Sequence, residues 1–319
     1  MSRFLIRRLA FLALTVLLTS LLVFIVTQWL PGDVCRIILG REAGQVAIEN
    51  CRQELGLDQP LPIQYLNWLG DFLTGNWGNS YSTNLPIYPM VMDRLRNSLI
   101  LALVTLVISV PLAVTLGVIA GLNEDKAIDN TISVGSLAVV GLPEFVTGLV
   151  LILVFSFGLR DLGLPYLPAN SSVPPGATFL EALPMLILPA MTAMLVLLAY
   201  IARLTRAGVL AELRQPYVRT ADLKGLPRRT VIVKHVLRNA LLPTITVIAI
   251  SIGWLISGLV VIENVFNYPG LGRMMIFAID RRDLPLLQAV TMVTVLGFAF
   301  ANLGADLLYG VLNPKIRLE

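Results

Sequence analysis

The sequence predicts an all-α polytopic membrane protein: six transmembrane helices, a sizeable extracytoplasmic loop after the first, and a cytoplasmic loop of short helices before the fifth. Three observations predict it. Only 14% of the 319 residues are charged, against about 25% in soluble domains. The 56% that are hydrophobic gather into runs of about 20 residues or more, enough to cross a bilayer. The basic residues collect between those runs, nine Lys/Arg against two acids between Arg203 and Arg238, which marks the cytoplasmic side.

The elements follow in order. Arg3, Arg7 and Arg8 precede an uncharged run from about 9 to 30. That run is too long for a signal core and no small-x-small site ends it, so it reads as the first span, with its N-terminus inside. The region 31–97 is polar and leans acidic, with seven carboxylates against five arginines, and is placed outside. Within it Ile63, Leu66, Leu69, Phe72 and Leu73 recur at helical spacing and predict a short amphipathic helix. The remaining spans fall at about 99–121, 132–159, 183–202, 241–262 and 284–311. The chain therefore divides into 1–30, 31–97 and a five-helix core, 98–319, that contains the loop 203–240. Six spans from an inside start put that loop and the tail with Lys315 and Arg317 in the cytoplasm.

Cys35 and Cys51 are the only cysteines. They share one extracytoplasmic stretch, where oxidation is favoured, so a disulfide is the preferred reading over two unrelated thiols. Glu144, in VVGLPEFVTG, is the one carboxylate deep within a span. A charge there costs at least about 2.5 kcal/mol. It therefore either faces a solute pathway or is hydrogen-bonded across a helix interface, and the neighbouring Gly141 and Pro143 predict a kink beside it.

Several chemistries are excluded. The sequence has no G-x-x-x-x-G-K-[ST] and no H-E-x-x-H, and its single histidine, His235, cannot build a zinc site. It also lacks G-x-S-x-G. What stands out instead is Gln215 to Pro243, QPYVRTADLKGLPRRTVIVKHVLRNALLP. Tyr217 to Lys224 predicts a short helix ended by Gly225, which takes the left-handed conformation readily. Pro227 opens a second helix, Arg228 to Leu242, expected at the membrane surface. From pattern alone the segment is either a loop that receives force from a partner or a basic loop that binds anionic lipid.

YVRTADLKG followed by KHVLRNALLP resembles the coupling loop of ABC-importer inner-membrane permeases, in the dipeptide/oligopeptide/nickel branch. ELGLDQPLPIQYLNWLGDFLTGNWGNSY, ENVFNYPGLGRMM, RDLPLLQAV and DLLYGVLNPKIRL resemble other segments of that branch, in the same order. The wider importer signature opens with Glu-Ala-Ala; here Arg219, Thr220 and Ala221 stand at those positions before Gly225.

The resemblance implies a non-catalytic permease subunit in the bacterial inner membrane that carries peptides delivered by an extracytoplasmic solute-binding protein. It implies a homologous second permease, two ATPase subunits holding ATP and Mg, surrounding lipid, and no nucleic acid. Tyr217, Arg219, Thr220, Ala221, Asp222, Lys224 and Gly225 are the implied contact with the ATPase. Nickel chelates, glutathione and other small solutes are alternative cargoes within the class. An ion-coupled secondary carrier is the alternative from another class, and Glu144 is its one strong intramembrane candidate.

Overall fold

The computed structural model describes residues 2–29, 34–40, 42–54, 56–172 and 178–312. Among them every regular element is helical, apart from one isolated bridge between Asn79 and Pro86. Four helices are long and apolar enough to span a membrane: Ile6–Trp29, Ile87–Leu122, Leu180–Leu213 and Leu284–Leu307. Two bent pairs, Ala127–Val140 with Glu144–Asp161 and Arg228–Ala240 with Leu242–Ile256, bring the number to six if each pair is one span. The all-α polytopic fold is thus as expected, and the departures lie in how the spans begin and break.

The chain forms two compact units. One comprises Ser2–Ser98 with Pro269–Phe300. Its helices are α1 (Ser2–Trp29), α2 (Val34–Leu39), α3 (Gln45–Glu54), α4 (Leu61–Thr74), the start of α5 (Ile87–Leu122), α13 (Leu271–Asp280) and most of α14 (Leu284–Leu312). Val23, Phe72, Ile87, Val91, Leu271 and Leu286 belong to its buried core. Cys35 of α2 and Cys51 of α3 form a disulfide, and Ile48 is buried with them.

The amphipathic helix expected around residues 63–73 is α4, and its face toward α1 is aromatic. Tyr65, Trp68 and Phe72 face Phe24 of α1 in a chain of ring contacts, with centroids 5.5 to 6.2 Å apart. Leu66 and Leu73, on another face, are 64% and 76% exposed. Aromatic rings won the interior because each buries more apolar area than a leucine and also gains edge and stacking geometry.

The fully buried Asp283 organises the loop before α5. One carboxylate oxygen accepts from the Ser80 hydroxyl at 2.6 Å, the Ser82 hydroxyl at 2.8 Å and the Ser82 amide at 3.1 Å. The other accepts from the Leu286 amide at 3.3 Å and so caps α14. Burial, with the nearby Asp283 carboxylate, pushes the Tyr81 hydroxyl up to about 12, which keeps that phenol neutral beside the buried charge.

The second unit comprises Leu99–Tyr268 with the chain from Ala301 on. Its helices are the rest of α5, then α6 (Ala127–Val140), α7 (Glu144–Asp161), α8 (Phe179–Leu213), α9 (Pro216–Leu223), α10 (Arg228–Ala240), α11 (Leu242–Gly258) and α12 (Val260–Val265). Thr178 and Glu181 start α8 with a reciprocal capping box. α8 then packs against α6, α7, α10, α11 and α12, so it is the axis of the unit.

Three expected spans need correction. The second begins at Ile87 rather than Leu99, so its 36 residues extend about 54 Å, well beyond a bilayer core of about 30 Å. The fourth continues through Leu213, so Arg203 to Leu213 are helical and not part of a loop. The third is not one helix: α6 and α7 meet at 106°. Pro143 lacks an N–H and sits extended at ψ 141°, and the residue before a proline is steered away from helix as well. A smaller bend of 49° separates α10 from α11. The sixth span, Leu284–Leu312, matches expectation. The predicted tail cations Lys315 and Arg317 lie outside the described residues.

Asp283→Ala is expected to remove about 2 kcal/mol of local stability. Amide exchange across residues 80–86 should rise roughly thirtyfold. Unchanged exchange there would show that the carboxylate does not hold the loop.

Candidate functional site

The segment around residue 220 folds as a short helix seated on a small apolar shelf. Pro216 opens α9, where its missing N–H costs nothing. Val218 and Ala221 point inward and are buried with Val209 of α8 and with Val231, Val236 and Ala240 of α10. The helix stops at Gly225, whose φ of +73° is left-handed, and the amides of Gly225 and Leu226 return to the carbonyls of Asp222 and Ala221.

Tyr217 anchors the first turn. Its hydroxyl donates to the Glu212 carboxylate and accepts from Asn239 Nδ2 at 3.2 Å. Burial and that carboxylate hold its pKa above the ordinary phenol value. Arg219, Thr220, Asp222, Leu223 and Lys224 face outward and are exposed, Leu223 at 80%. The expected site residues therefore divide in two. Tyr217 and Ala221 fix the helix from beneath, while Arg219, Thr220, Asp222 and Lys224 present a charged outer face with Gly225 at its end.

Beneath the shelf, α8 is tied to its neighbours at three levels. Gly208 lies directly against the Ala240 carbonyl, where a side-chain carbon has no room. Thr205 and Thr244 share a hydroxyl hydrogen bond of 3.2 Å. Arg206 grips Asp129 with two arms, Nε to Oδ1 at 2.5 Å and Nη2 to Oδ2 at 2.7 Å. Asp129 is buried and also accepts from the Asp125 amide and the Ser133 hydroxyl. Arg214 pairs with Glu124 at 2.6 Å closer to the surface. The clamp thus joins the start of the broken span to the helix that carries the shelf.

Glu144 is placed apart from this site, as the first residue of α7 at the break. It is partly buried, and among the described residues no hydrogen bond or ion pair to its carboxylate is found. The N-terminus of α7 offers it a favourable field.

Comparison with known proteins decides what this architecture belongs to. Residues 113–318 match the family described as binding-protein-dependent transport system inner membrane component, and residues 1–102 match its N-terminal region. The chain belongs to that family. A probable peptide ABC transporter permease protein, y4tP of Sinorhizobium fredii, is 35% identical over 99% of this permease and 100% of its own length. The glutathione transport system permease protein GsiC of Escherichia coli strain K12 is 36% identical over the whole of both chains. The crystal structure of an amino acid ABC transporter with histidines has a similar fold, with a TM-score of 0.52 at 17% identity, over 70% of this permease and 94% of that chain.

The chain is thus an ABC permease subunit, integral to the inner membrane and working with other components of such a transporter. Membership sets aside the ion-coupled carrier. Sequence reading missed the clamp residues. Asp129 sits in NEDKAIDN, a short polar joint between two apolar runs, and Arg206 is one of nine Lys/Arg between Arg203 and Arg238. Their pairing spans 77 positions and leaves no local signal.

Asp129→Ala strands Arg206 and is expected to cost up to about 3 kcal/mol. A lower melting temperature and faster tryptic cleavage between α8 and α10 would register it, whereas wild-type values would mean the clamp is dispensable. Tyr217→Phe should cost about 1 kcal/mol and speed amide exchange within α9, which an unchanged exchange map would contradict.

Proposed function

We propose that this permease is one of two homologous transmembrane subunits of an ATP-driven importer and forms half of a pathway for peptides handed over by an extracytoplasmic binding protein. Its N- and C-termini face the cytoplasm, and two ATPase subunits, which carry ATP and Mg, dock on the outer face of α9. The observation that carries this reading is the seating of α9: an apolar inner face fixed to α8 and α10, and a charged outer face that is exposed, with a loose 4.0 Å pair between Asp222 and Arg228 at its edge. Movement of the ATPases would displace α9, and the clamp at Arg206 and Asp129 would pass the displacement to the broken span and Glu144. Two conformations with different affinity for the partners then suffice for alternating access.

Peptides are the proposed cargo because a relative along the whole length is named for them. Glutathione, itself a tripeptide, is the second reading and draws on the GsiC relatives. Purification of the permease from its native membrane in gentle detergent, with identification of what accompanies it, tests the assembly. A second permease and P-loop ATPases in fixed stoichiometry are expected, and a chain that purifies alone at every salt concentration would refute it. The binding protein of the same system then separates the cargoes by its affinity for dipeptides, longer peptides and glutathione.

Gly225→Trp isolates the docking step. A Cβ at Gly225 meets no atom within 4 Å, so the first cost of any substitution there is backbone strain of about 1–2 kcal/mol. The variant is expected to insert normally yet lose stimulated ATP hydrolysis and uptake. Wild-type coupling in that variant would count against docking at α9. Glu144→Gln should weaken uptake of peptides with a free amine, and unchanged kinetics would leave the residue a structural one.

A further inference from the structure

The short helix α4 is divided lengthwise into three faces, and the aliphatic one is largely uncovered among the described residues. At 3.6 residues per turn, Gln64, Asn67, Asp71 and Thr74 share a polar sector of about 80°. Tyr65, Trp68 and Phe72 share a second sector and pack on α1 through Phe24. Ile63, Leu66, Leu69 and Leu73 share a third sector of about 120°. Ile63, Leu66 and Leu73 there are 46%, 64% and 76% exposed. The one charge in the helix, Asp71, lies in the polar sector.

The depth of α4 follows from its partner. The Tyr65 and Ser20 hydroxyls are hydrogen-bonded at 2.8 Å, and Gln28 Nε2 donates to Gln64 Oε1 at 3.0 Å. α1 crosses the membrane and ends at Trp29. Ser20 therefore lies about 13 Å back along the axis from that end. A helix joined to α1 at Ser20, Phe24 and Gln28 sits within the leaflet where α1 ends. On α1 itself Leu21, Leu22 and Ile25 are exposed apolar residues at the same level, so the aliphatic face of α4 continues a lipid-facing surface.

We infer that α4 is an interfacial helix whose Ile63, Leu66 and Leu73 side chains lie among the phospholipid acyl chains of that leaflet, with Asn67, Asp71 and Thr74 turned to water. Polar and apolar sectors of this kind are what hold a helix in the plane of a membrane interface. The helix thereby seats the unit that holds the disulfide at a fixed height on the bilayer. This inference needs only that α1 spans the membrane, and it stands whatever the cargo or ATPase partner.

The test uses the unmodified permease in its intact complex, reconstituted into phospholipid nanodiscs with a photoactivatable acyl chain. Adducts on Ile63, Leu66 or Leu73, and none on Asn67, Asp71 or Thr74, are expected. Adducts on Leu21, Leu22 and Ile25 of α1 without any on α4 would overturn the inference. Spin labels at Leu66→Cys and Asn67→Cys supply a second readout. The ratio of collisions with oxygen to collisions with a water-soluble nickel chelate should be higher at position 66 than at 67. A label at 66 that neither reagent reaches would place a protein partner on the face, and one that the nickel chelate reaches freely would place it in water; either result overturns the lipid assignment.

Discussion

A guanidinium gripping a carboxylate is the contact on which this permease's inner architecture depends. Arg206 meets Asp129 through two parallel hydrogen bonds, and Asp129 spends its remaining capacity on a backbone amide and a serine. A buried carboxylate is tolerated only with such complete satisfaction, since an unpaired charge there costs several kcal/mol. Planar bidentate geometry also fixes angle as well as distance. The start of α6 is thereby held in register with the end of α8, and the close contact at Gly208 holds α10 to the same stretch. Three helices that would otherwise slide on apolar surfaces share one reference point.

A second constraint is the break between α6 and α7. A proline inside a span is often absorbed as a mild kink, and α8 carries Pro184 and Pro189 within one continuous helix. Pro143 behaves differently because Gly141 lies two residues before it and Glu144 directly after it. The glycine adds no helical preference, and the carboxylate gains from beginning a new helix rather than lying inside an old one. A 106° bend results, which places a polar group and free helix ends within a segment whose composition is that of a plain span. Such irregularity is tolerated in a membrane only where protein or water meets it.

Much of this was legible in the sequence, and the remainder was hidden for physical reasons. Apolar runs placed the spans, and Gly225 marked the end of α9, because hydropathy and left-handed turns are local properties. The extension of α5 back to Ile87 was hidden because Asp93, Arg94, Arg96 and Asn97 interrupt the apolar run without interrupting the helix. On α4 periodicity located the helix but left open which of its apolar faces packs on protein. Two apolar faces flank one polar face there, and a single-stripe reading cannot tell ring packing from lipid exposure. The Arg206–Asp129 clamp depends on tertiary proximity and has no counterpart in residue spacing.

The seat of α9 has a mechanical asymmetry. Val218 and Ala221 rest on valines and an alanine, and van der Waals surfaces in contact resist compression steeply yet separate with little opposition. Resistance to tension falls to directional bonds, and on this helix the short ones are at Tyr217, to Glu212 and Asn239, while the exposed Asp222–Arg228 pair at 4.0 Å holds the other end only loosely. A load toward the membrane is spread over the whole apolar footprint, while a load away from it is carried chiefly by one phenol oxygen. The helix is therefore built as a strut in one direction and a tether in the other, with the tether at its first turn, so a withdrawing force would peel the helix from its Gly225 end before it lifted the whole.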